Sequence, residues 1–534
     1  MSSLTTLILW MLGVLAFRIL GHSILSIFFS PLRTLRGPPT PSVLYGHVRQ
    51  ICRAGNAATM REWVERYGRN IYCRYLLQVP CLWTADPLVM RHVLQSGNFS
   101  KPWETRASAA KVIGDGVLVA EGDRHRGQRA VMNPAFGAAQ IREFVPIFIE
   151  KAAEAYKIAT HGVSAKIDVL EGLKKMTLDV IGLAGFDYHL EALNALGKPN
   201  ELNEAFYQLF SSTPPLSIQR LLVDNLPFLD WFPDQRAKTI RTAQAAMRRI
   251  GMELIQDRKA AIAREFSGRK RGVDKKDLPG KDLLTLLIKA NMAMDIPEHQ
   301  RLSDEEVLSQ IPTFLVAGHE TTSTAAAWCL FALTQSPDAQ AKLREELLAL
   351  NSECPSMDEL ASLPYLDCVV RETLRLHTPV AFTLRAADRD DVIPVSEPFV
   401  DRQGHVQREI RIGKGNRIII AILALNQSKA IWGDDALEFR PERWADPPKE
   451  AADVPGVWSN MMTFSGGPRA CIGFRFSIAE LKALIFTLVR AFEFELACAP
   501  EDVTMVGMFT QRPAVSSEPA KGAQMPLIVR PYSR

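Results

Sequence analysis

Cysteine is scarce and scattered in this chain: eight residues in 534, at positions 52, 73, 81, 329, 354, 368, 471 and 498, with no CxxC spacing and no dense cluster. That pattern excludes a disulfide framework and a zinc site, and it fits a reducing compartment. A GxGxxG fingerprint for a dinucleotide is missing as well. So is an excess of one charge: 63 basic against 59 acidic residues leave a net +4, too little to draw the chain to nucleic acid. Neither an internal repeat nor a low-complexity tract is present. What remains, 47% hydrophobic and 23% charged residues, is an ordinary globular balance. Length alone would suggest about three domains at roughly 100–200 residues each. The motifs described below overrule that prior in favour of one large catalytic unit.

The first 30 residues read differently from the rest. Leu4–Phe17 is almost wholly apolar, and after Arg18 the run resumes through Ile19–Leu20 and Ile24–Phe29. About 20 mostly apolar residues suffice for a membrane helix. No basic stretch precedes the run, as a cleaved signal would require, whereas Arg33 and Arg36 follow it. The asymmetry predicts a retained transmembrane anchor over residues 1–30, with the bulk of the chain on the cytoplasmic side. Pro31, Pro38, Pro39 and Pro41 then predict a stiff hinge over 31–44, because each fixes its own φ and restricts the residue before it. Residues 45–534 are the expected catalytic domain.

Between about residue 45 and 100, short β-type runs such as Ile71–Val79 alternate with helical stretches. From about 140 to 380 the pattern is mainly helical. Ser267–Lys281, rich in Arg, Lys, Gly and Asp, reads as a solvated connection. After 380 come short apolar strands such as Arg417–Leu423, and a helix returns at about Phe474–Phe492. The fold class that follows is mainly α with small β-sheets.

Residues 464–473 read Phe-Ser-Gly-Gly-Pro-Arg-Ala-Cys-Ile-Gly. This is a tight loop that presents one sulfur, Cys471, at the start of a helix beginning near Ile472. Free N–H groups and partial positive charge at a helix N-terminus favour the thiolate over the thiol, and the thiolate is the species that ligates a metal. Gly466 and Gly473 would let a flat ligand approach the backbone. Arg469 offers a fork of donors suited to a carboxylate. The plainer alternative is a structural cysteine in a glycine-rich turn.

The segment fits FxxGxRxCxG at each specified position and resembles the haem-binding loop of the cytochrome P450 haem-thiolate monooxygenases. Ala317-Gly318-His319-Glu320-Thr321-Thr322 is similar to that family's oxygen-activation motif. Its helix is predicted to start at a capping box, Ser303 and Glu306, and to run to about Gln335, before Ser336-Pro337. That is roughly 45–50 Å at 1.5 Å per residue. Glu372 and Arg375, on one helix face at i and i+3, match the family's ExxR pair. Phe439-Arg440-Pro441-Glu442-Arg443-Trp444 resembles its FxPERF segment, with Trp444 in place of the final Phe. His125 and Arg129 stand where many members carry WxxxR, with His for Trp. Arg385 follows Arg375 at a spacing where members often place a further propionate-binding arginine.

The resemblance implies a cytochrome P450 fold: a single catalytic domain behind an N-terminal anchor, with haem b held through the Cys471 thiolate. Around the haem it implies Arg469, Arg385, His125, Arg129 and Phe464, with Ala317 and Gly318 giving the macrocycle room against the backbone. Glu320 and Thr321 would form an acid–alcohol pair that delivers protons. Glu372, Arg375 and Arg443 would form a buried ion network, and His319 would serve packing. Phe314, Val380, Phe382, Met508 and Phe509 are expected to line an apolar pocket, with Leu221–Val223 and Leu226–Phe232 as a membrane-dipping entry wall. Too little chain follows Cys471 for a flavin domain, so electrons are expected from NADPH through a partner reductase. Docking would fall at Arg126 and Arg475, with cytochrome b5 as a second donor.

The expected reaction inserts one oxygen atom from O2 into a lipophilic, terpenoid-type or other secondary metabolite at the endoplasmic reticulum membrane. The sequons at Asn98 and Asn426 would then stay unglycosylated. Three other readings share parts of the pattern: an oxygen-independent haem-thiolate isomerase or dehydratase, a non-catalytic haem sensor, and a flavin-dependent oxidase. The Glu320–Thr321 pair argues against the first, and the missing dinucleotide fingerprint against the third.

Overall fold

The computed structural model describes residues 29–52, 56–160, 164–194, 200–210, 235–267, 282–292, 301–507 and 510–532. The expected anchor through residue 28, the expected entry wall and most of the 267–281 connection lie outside them. Seven helices position the site: α1 (Gly122–Met132), α2 (Ala138–Thr160), α3 (Val169–Phe186), α4 (Asp304–Leu308), α5 (Gln310–Thr334), α6 (Pro364–Leu376) and α7 (Phe474–Ala491). Seven strands bear on it: β1 (Asn70–Arg74), β2 (Pro80–Thr84), β3 (Phe99–Ser100), β4 (Thr383–Ala387), β5 (Arg417–Ile420), β6 (Val503–Val506) and β7 (Arg512–Val515).

A proline decides where the helix carrying Ala317–Thr322 begins. Ser303 and Glu306 form the capping box that starts α4. Pro312 has no N–H to give the Leu308 carbonyl, so the ladder is interrupted there, and the chain turns at Ser309 before α5 resumes. Ser309 Oγ donates to Glu305 O at 2.8 Å and Gln310 Nε2 to Glu306 O at 2.9 Å, supplying donors from side chains across the break. The expected single rod is thus two helices, which end at Thr334 ahead of Ser336-Pro337. α5 is buried on most of its circumference and packs against α3, α6 and α7. Trp328 on α5 is fully buried; a large apolar side chain so placed contributes about 1.5–3 kcal/mol.

The main sheet has the order β1-β2-β5-β4-β3, with β2 and β5 parallel and the other neighbours antiparallel. The run Ile71–Val79 is therefore a hairpin rather than one strand: the chain reverses after Arg74, through Leu77 and Gln78 at positive φ. Arg385 lies opposite Ile418 in the β4–β5 ladder, which fixes its backbone. β6 and β7 form a separate two-stranded sheet.

Residues 31–44 pack on this body and do not act as a free hinge. Leu32 and Leu35 are fully buried, Tyr72 N–H donates to Arg36 O at 2.8 Å, and Gln78 Nε2 reaches Ser42 O at 2.7 Å. Among the described residues no helix is long and apolar enough to cross a membrane.

Candidate active site

The loop before α7 is closed by its own backbone. Cys471 N–H donates to Phe464 O at 2.9 Å, and Ala470 N–H to Gly467 O at 3.0 Å. Phe464 packs edge-on to Trp458 and against Phe474, which anchors the loop's entry. A Cβ on Gly466 would fall 2.0 Å from the Pro455 carbonyl oxygen, and Gly467 sits at φ +67° beside Leu94 O. Side chains are thus excluded at both positions by neighbouring backbone. Gly473 caps α7, so the helix starts at Phe474, two residues after Ile472.

Cys471 is accessible, yet protein surrounds it closely enough that burial pushes its thiol pKa up. The Gly473 N–H and the Arg129 guanidinium pull it down, but less than burial pushes. The helix terminus thus favours the thiolate in the expected direction, while burial opposes it more strongly. A bound metal ion deprotonates a coordinating thiol outright, so ligation and ionisation come together.

Beside the loop is a concentration of positive charge. Arg469 donates to Ala120 O at 2.6 Å and pairs with Glu121. Arg129 on α1 donates to Ala470 O at 2.5 Å. Arg385 is buried and donates to Leu384 O at 2.7 Å and Thr383 Oγ1 at 3.0 Å. His125, also buried, is pushed down to about 3 by burial and then by Arg469, Lys101 and Arg129. Lys101, which the motifs did not flag, is lowered to about 7 by burial and by Arg469 and Arg385. Arg385 falls to about 10 through burial and then the charge of Arg469. Glu121 is the acid these groups share. Mutually depressed cations call for further negative charge, and two carboxylates on one flat ligand would supply it. The accessible Cys471 sulfur and this unbalanced cradle fit haem with its two propionates.

On α5, Ala317 is exposed between the half-buried Val316 and Gly318. Gly318 points elsewhere: its Cβ would meet the Ile181 side chain of α3 at 2.9 Å. Its smallness serves helix packing, and the room expected beside the backbone falls to Ala317. Thr321 Oγ1 donates to Ala317 O at 2.7 Å, the back-bond a threonine makes within its own helix; its lone pairs remain free to accept. Glu320 Oε1 lies 3.6 Å from Arg512 Nε. His319 is packed edge-on to Phe206, with burial lowering it to about 3. Thr322 Oγ1 meets Ser477 Oγ at 3.2 Å, joining α5 to α7 near the Cys471 loop.

Glu372, Arg375 and Arg443 meet in the interior. Arg375 binds Glu372 through Nε and Nη2 at 2.9 and 2.8 Å, with neither side chain exposed. Its Nη1 donates to the Asn426 and Ala436 carbonyls at 3.0 and 2.6 Å. Arg443 Nε reaches Glu372 Oε1 at 3.3 Å and its Nη1 reaches Asp435 Oδ1 at 2.8 Å.

Other expected residues lie elsewhere. Phe314 is buried between Phe136 and Phe186 in the helical core. Phe382 lines a shallow open pocket with Ile51, Met60, Trp83 and Gln427, beside the main sheet. Val380 is half-buried, and Met508 and Phe509 lie outside the described residues. Arg126 and Arg475 are exposed; the first pairs with Asp123 and the second stacks on Phe474. Asn98 and Asn426, of the two sequons, are buried and hydrogen-bonded through their side chains. The Arg512–Glu320 contact, like Lys101, carried no motif signal, because it depends on elements far apart in the chain.

Comparison with known proteins agrees with this geometry. Residues 36–515 match the family model described as Cytochrome P450. The chain is 52% identical over 516 residues to cytochrome P450 monooxygenase 205 of Postia placenta, covering 95% of this chain and 94% of that one. It is 50% identical to cytochrome P450 monooxygenase 128 of the same fungus, over 96% and 95% of the two chains. A ganoderic acid synthetase of Ganoderma lucidum is 34% identical over 88% of this chain and 89% of its own. With the family matched over nearly all its length, the chain belongs to the cytochrome P450 family and is a haem-thiolate monooxygenase.

Proposed function

We propose that this enzyme oxidises a lipophilic secondary metabolite, of terpenoid type, with Cys471 as the haem ligand and Glu320 and Thr321 as the proton-handling pair. The observation that carries the reading is the accessible Cys471 sulfur beside a cradle of Lys101, His125, Arg129, Arg385 and Arg469 that has one acid to balance it. The relative named ganoderic acid synthetase supports a secondary-metabolite substrate.

Haem held through Cys471 would supply the activation of dioxygen. The basic residues would bind the propionates and so fix the macrocycle's orientation. Glu320 would take a proton from solvent and pass it to Thr321, whose lone pairs face no other donor in its own helix turn. Glu372, Arg375 and Arg443 would act at a distance, holding α6 against the segment that leads to the Cys471 loop.

Electrons would enter from an NADPH-dependent reductase, with cytochrome b5 as a second donor. Exposed Arg126 and Arg475, on the two elements that flank the thiolate, are suited to an acidic partner face. The apolar run Leu4–Phe29 supports a single-pass anchor in the endoplasmic reticulum membrane. A reduced, carbon monoxide difference spectrum of the wild type and Cys471→Ser tests the core of this reading. A strongly red-shifted Soret band in the wild type alone is expected; a band unchanged by the substitution would overturn it.

A further inference from the structure

We infer that Arg512 is a positioning residue for Glu320: its guanidinium holds the carboxylate where a proton can be passed on to Thr321. The inference rests on the monooxygenase reading above.

Ala317 marks the open face of α5, and Glu320 and Thr321 lie at i+3 and i+4 from it, hence on the same side of the helix. The partner that meets Glu320 comes from another part of the chain. Arg512 is the first residue of β7, opposite Val506 on β6. Its Nε is 3.6 Å from Glu320 Oε1, and that buried nitrogen has no hydrogen-bond partner. The two side chains are only 22% and 25% exposed, so their attraction is screened less than at an open surface.

The backbone that carries Arg512 is pinned from three directions. Trp328 on α5 donates its indole N–H to Gln511 O at 2.8 Å. Gln511 N–H donates to Pro379 O at 2.7 Å, and its Nε2 to Gly507 O at 2.9 Å. The helix that bears Glu320 therefore also holds the turn that bears Arg512. A hairpin fixed to the helix in this way sets where the guanidinium sits, and the guanidinium sets where a flexible Glu side chain sits. Lys174 on α3 is near enough to both Glu320 and Arg512 for each to shift its titration, as do Glu171 and Asp168. The acid thus stands between two cations from two elements.

The proton balance is simple. Glu320 receives a proton from solvent and gives it to Thr321 Oγ1 as that hydroxyl passes its own to the oxygen that bound haem would activate, and Glu320 is left as a carboxylate. Arg512 balances that charge and keeps the oxygen in place until the next solvent proton arrives. Without Arg512 the carboxylate is free to adopt other rotamers, and misplacement by about 1 Å can cost on the order of a hundredfold in a positioned transfer.

The test uses the full-length holoenzyme with its reductase and compares the wild type with Arg512→Gln, Arg512→Lys and Glu320→Gln. Product formed per NADPH should fall by about tenfold or more in Arg512→Gln, with the balance released as hydrogen peroxide, and Arg512→Lys should recover most of it. In the infrared, the carboxylate band lost in Glu320→Gln should move in Arg512→Gln and return in Arg512→Lys. An intact carbon monoxide band with full coupling in Arg512→Gln, an unmoved infrared band, or a change in KM alone would overturn the inference and leave the monooxygenase reading standing. Absence of the thiolate band in the wild type would overturn both.

Discussion

Trp444 donates its indole N–H to Glu372 Oε2 at 3.1 Å, a fifth donor on a carboxylate already held by Arg375 Nε and Nη2, Arg443 Nε and the Arg440 N–H. The tryptophan thus does more than keep an aromatic where relatives of this motif carry phenylalanine. Trp444→Phe preserves most of the packing and deletes this donor. A hydrogen bond to a charged group is worth about 1.5–3 kcal/mol, so urea unfolding should show a loss of that order with haem content unchanged. A variant as stable as the wild type would mean the indole N–H contributes nothing.

Arg375→Ala should be far more damaging. It strands a buried Glu372 and removes the donor to the Asn426 and Ala436 carbonyls. Breaking a buried pair costs about 3–5 kcal/mol, and soluble protein should carry much less haem per chain. Lysine should not rescue it, because one ammonium cannot span both Glu372 oxygens and both carbonyls. Wild-type Soret absorbance per mole of Arg375→Ala protein would contradict this.

What was legible in the sequence was chemistry fixed by local spacing. The Cys471 loop, the Glu372–Arg375 pair and the Ser303–Glu306 cap each depend on residues a few positions apart, and the structure has them in contact or on one turn. Contacts between distant elements were not legible. Lys101 joins the cationic cradle from before α1, and Arg512 meets Glu320 from β7. The neighbours of Gly318 and Phe314 were not legible because a helix sequence gives the angle between residues but not which neighbour each angle faces. Only the packed α3 reveals that Gly318 faces Ile181 and that Phe314 is sandwiched by Phe136 and Phe186. The Ile71–Val79 hairpin was hidden because its turn is built from Leu77 and Gln78 rather than Gly or Asn.

Gly318→Ala places a methyl 2.9 Å from Ile181 Cδ1 and 3.0 Å from Cγ1. Such overpacking costs about 1–3 kcal/mol when the neighbour cannot yield. Ile181→Val removes the Cδ1 atom and should restore part of the loss in the double variant. A double-mutant cycle of thermal or urea unfolding measures the coupling. Additive effects of the two substitutions would place the clash elsewhere, and would return Gly318 to the open side of α5.

Glu480 on α7 gives the pH dependence its sign. It is 1% exposed, and burial raises its pKa to about 8, while the nearby Thr322 hydroxyl pulls it down slightly. Neither carboxyl oxygen makes a hydrogen bond of ordinary geometry. In the unfolded chain the group titrates near 4.5, its ordinary value. Below that, both states are protonated and nothing is lost. Between about 4.5 and 8 the native state keeps a proton that the unfolded chain has released, so stability falls as pH rises. The slope this group can impose is at most about 1.4 kcal/mol per pH unit, and above the native pKa it flattens. Glu480→Gln keeps the shape, cannot ionise, and removes that slope. Urea unfolding of the holoenzyme at pH 5, 6, 7 and 8 should therefore show the wild type losing stability faster than the variant across this window. Parallel curves would mean that Glu480 is charged in the native state and compensated by a group nearby.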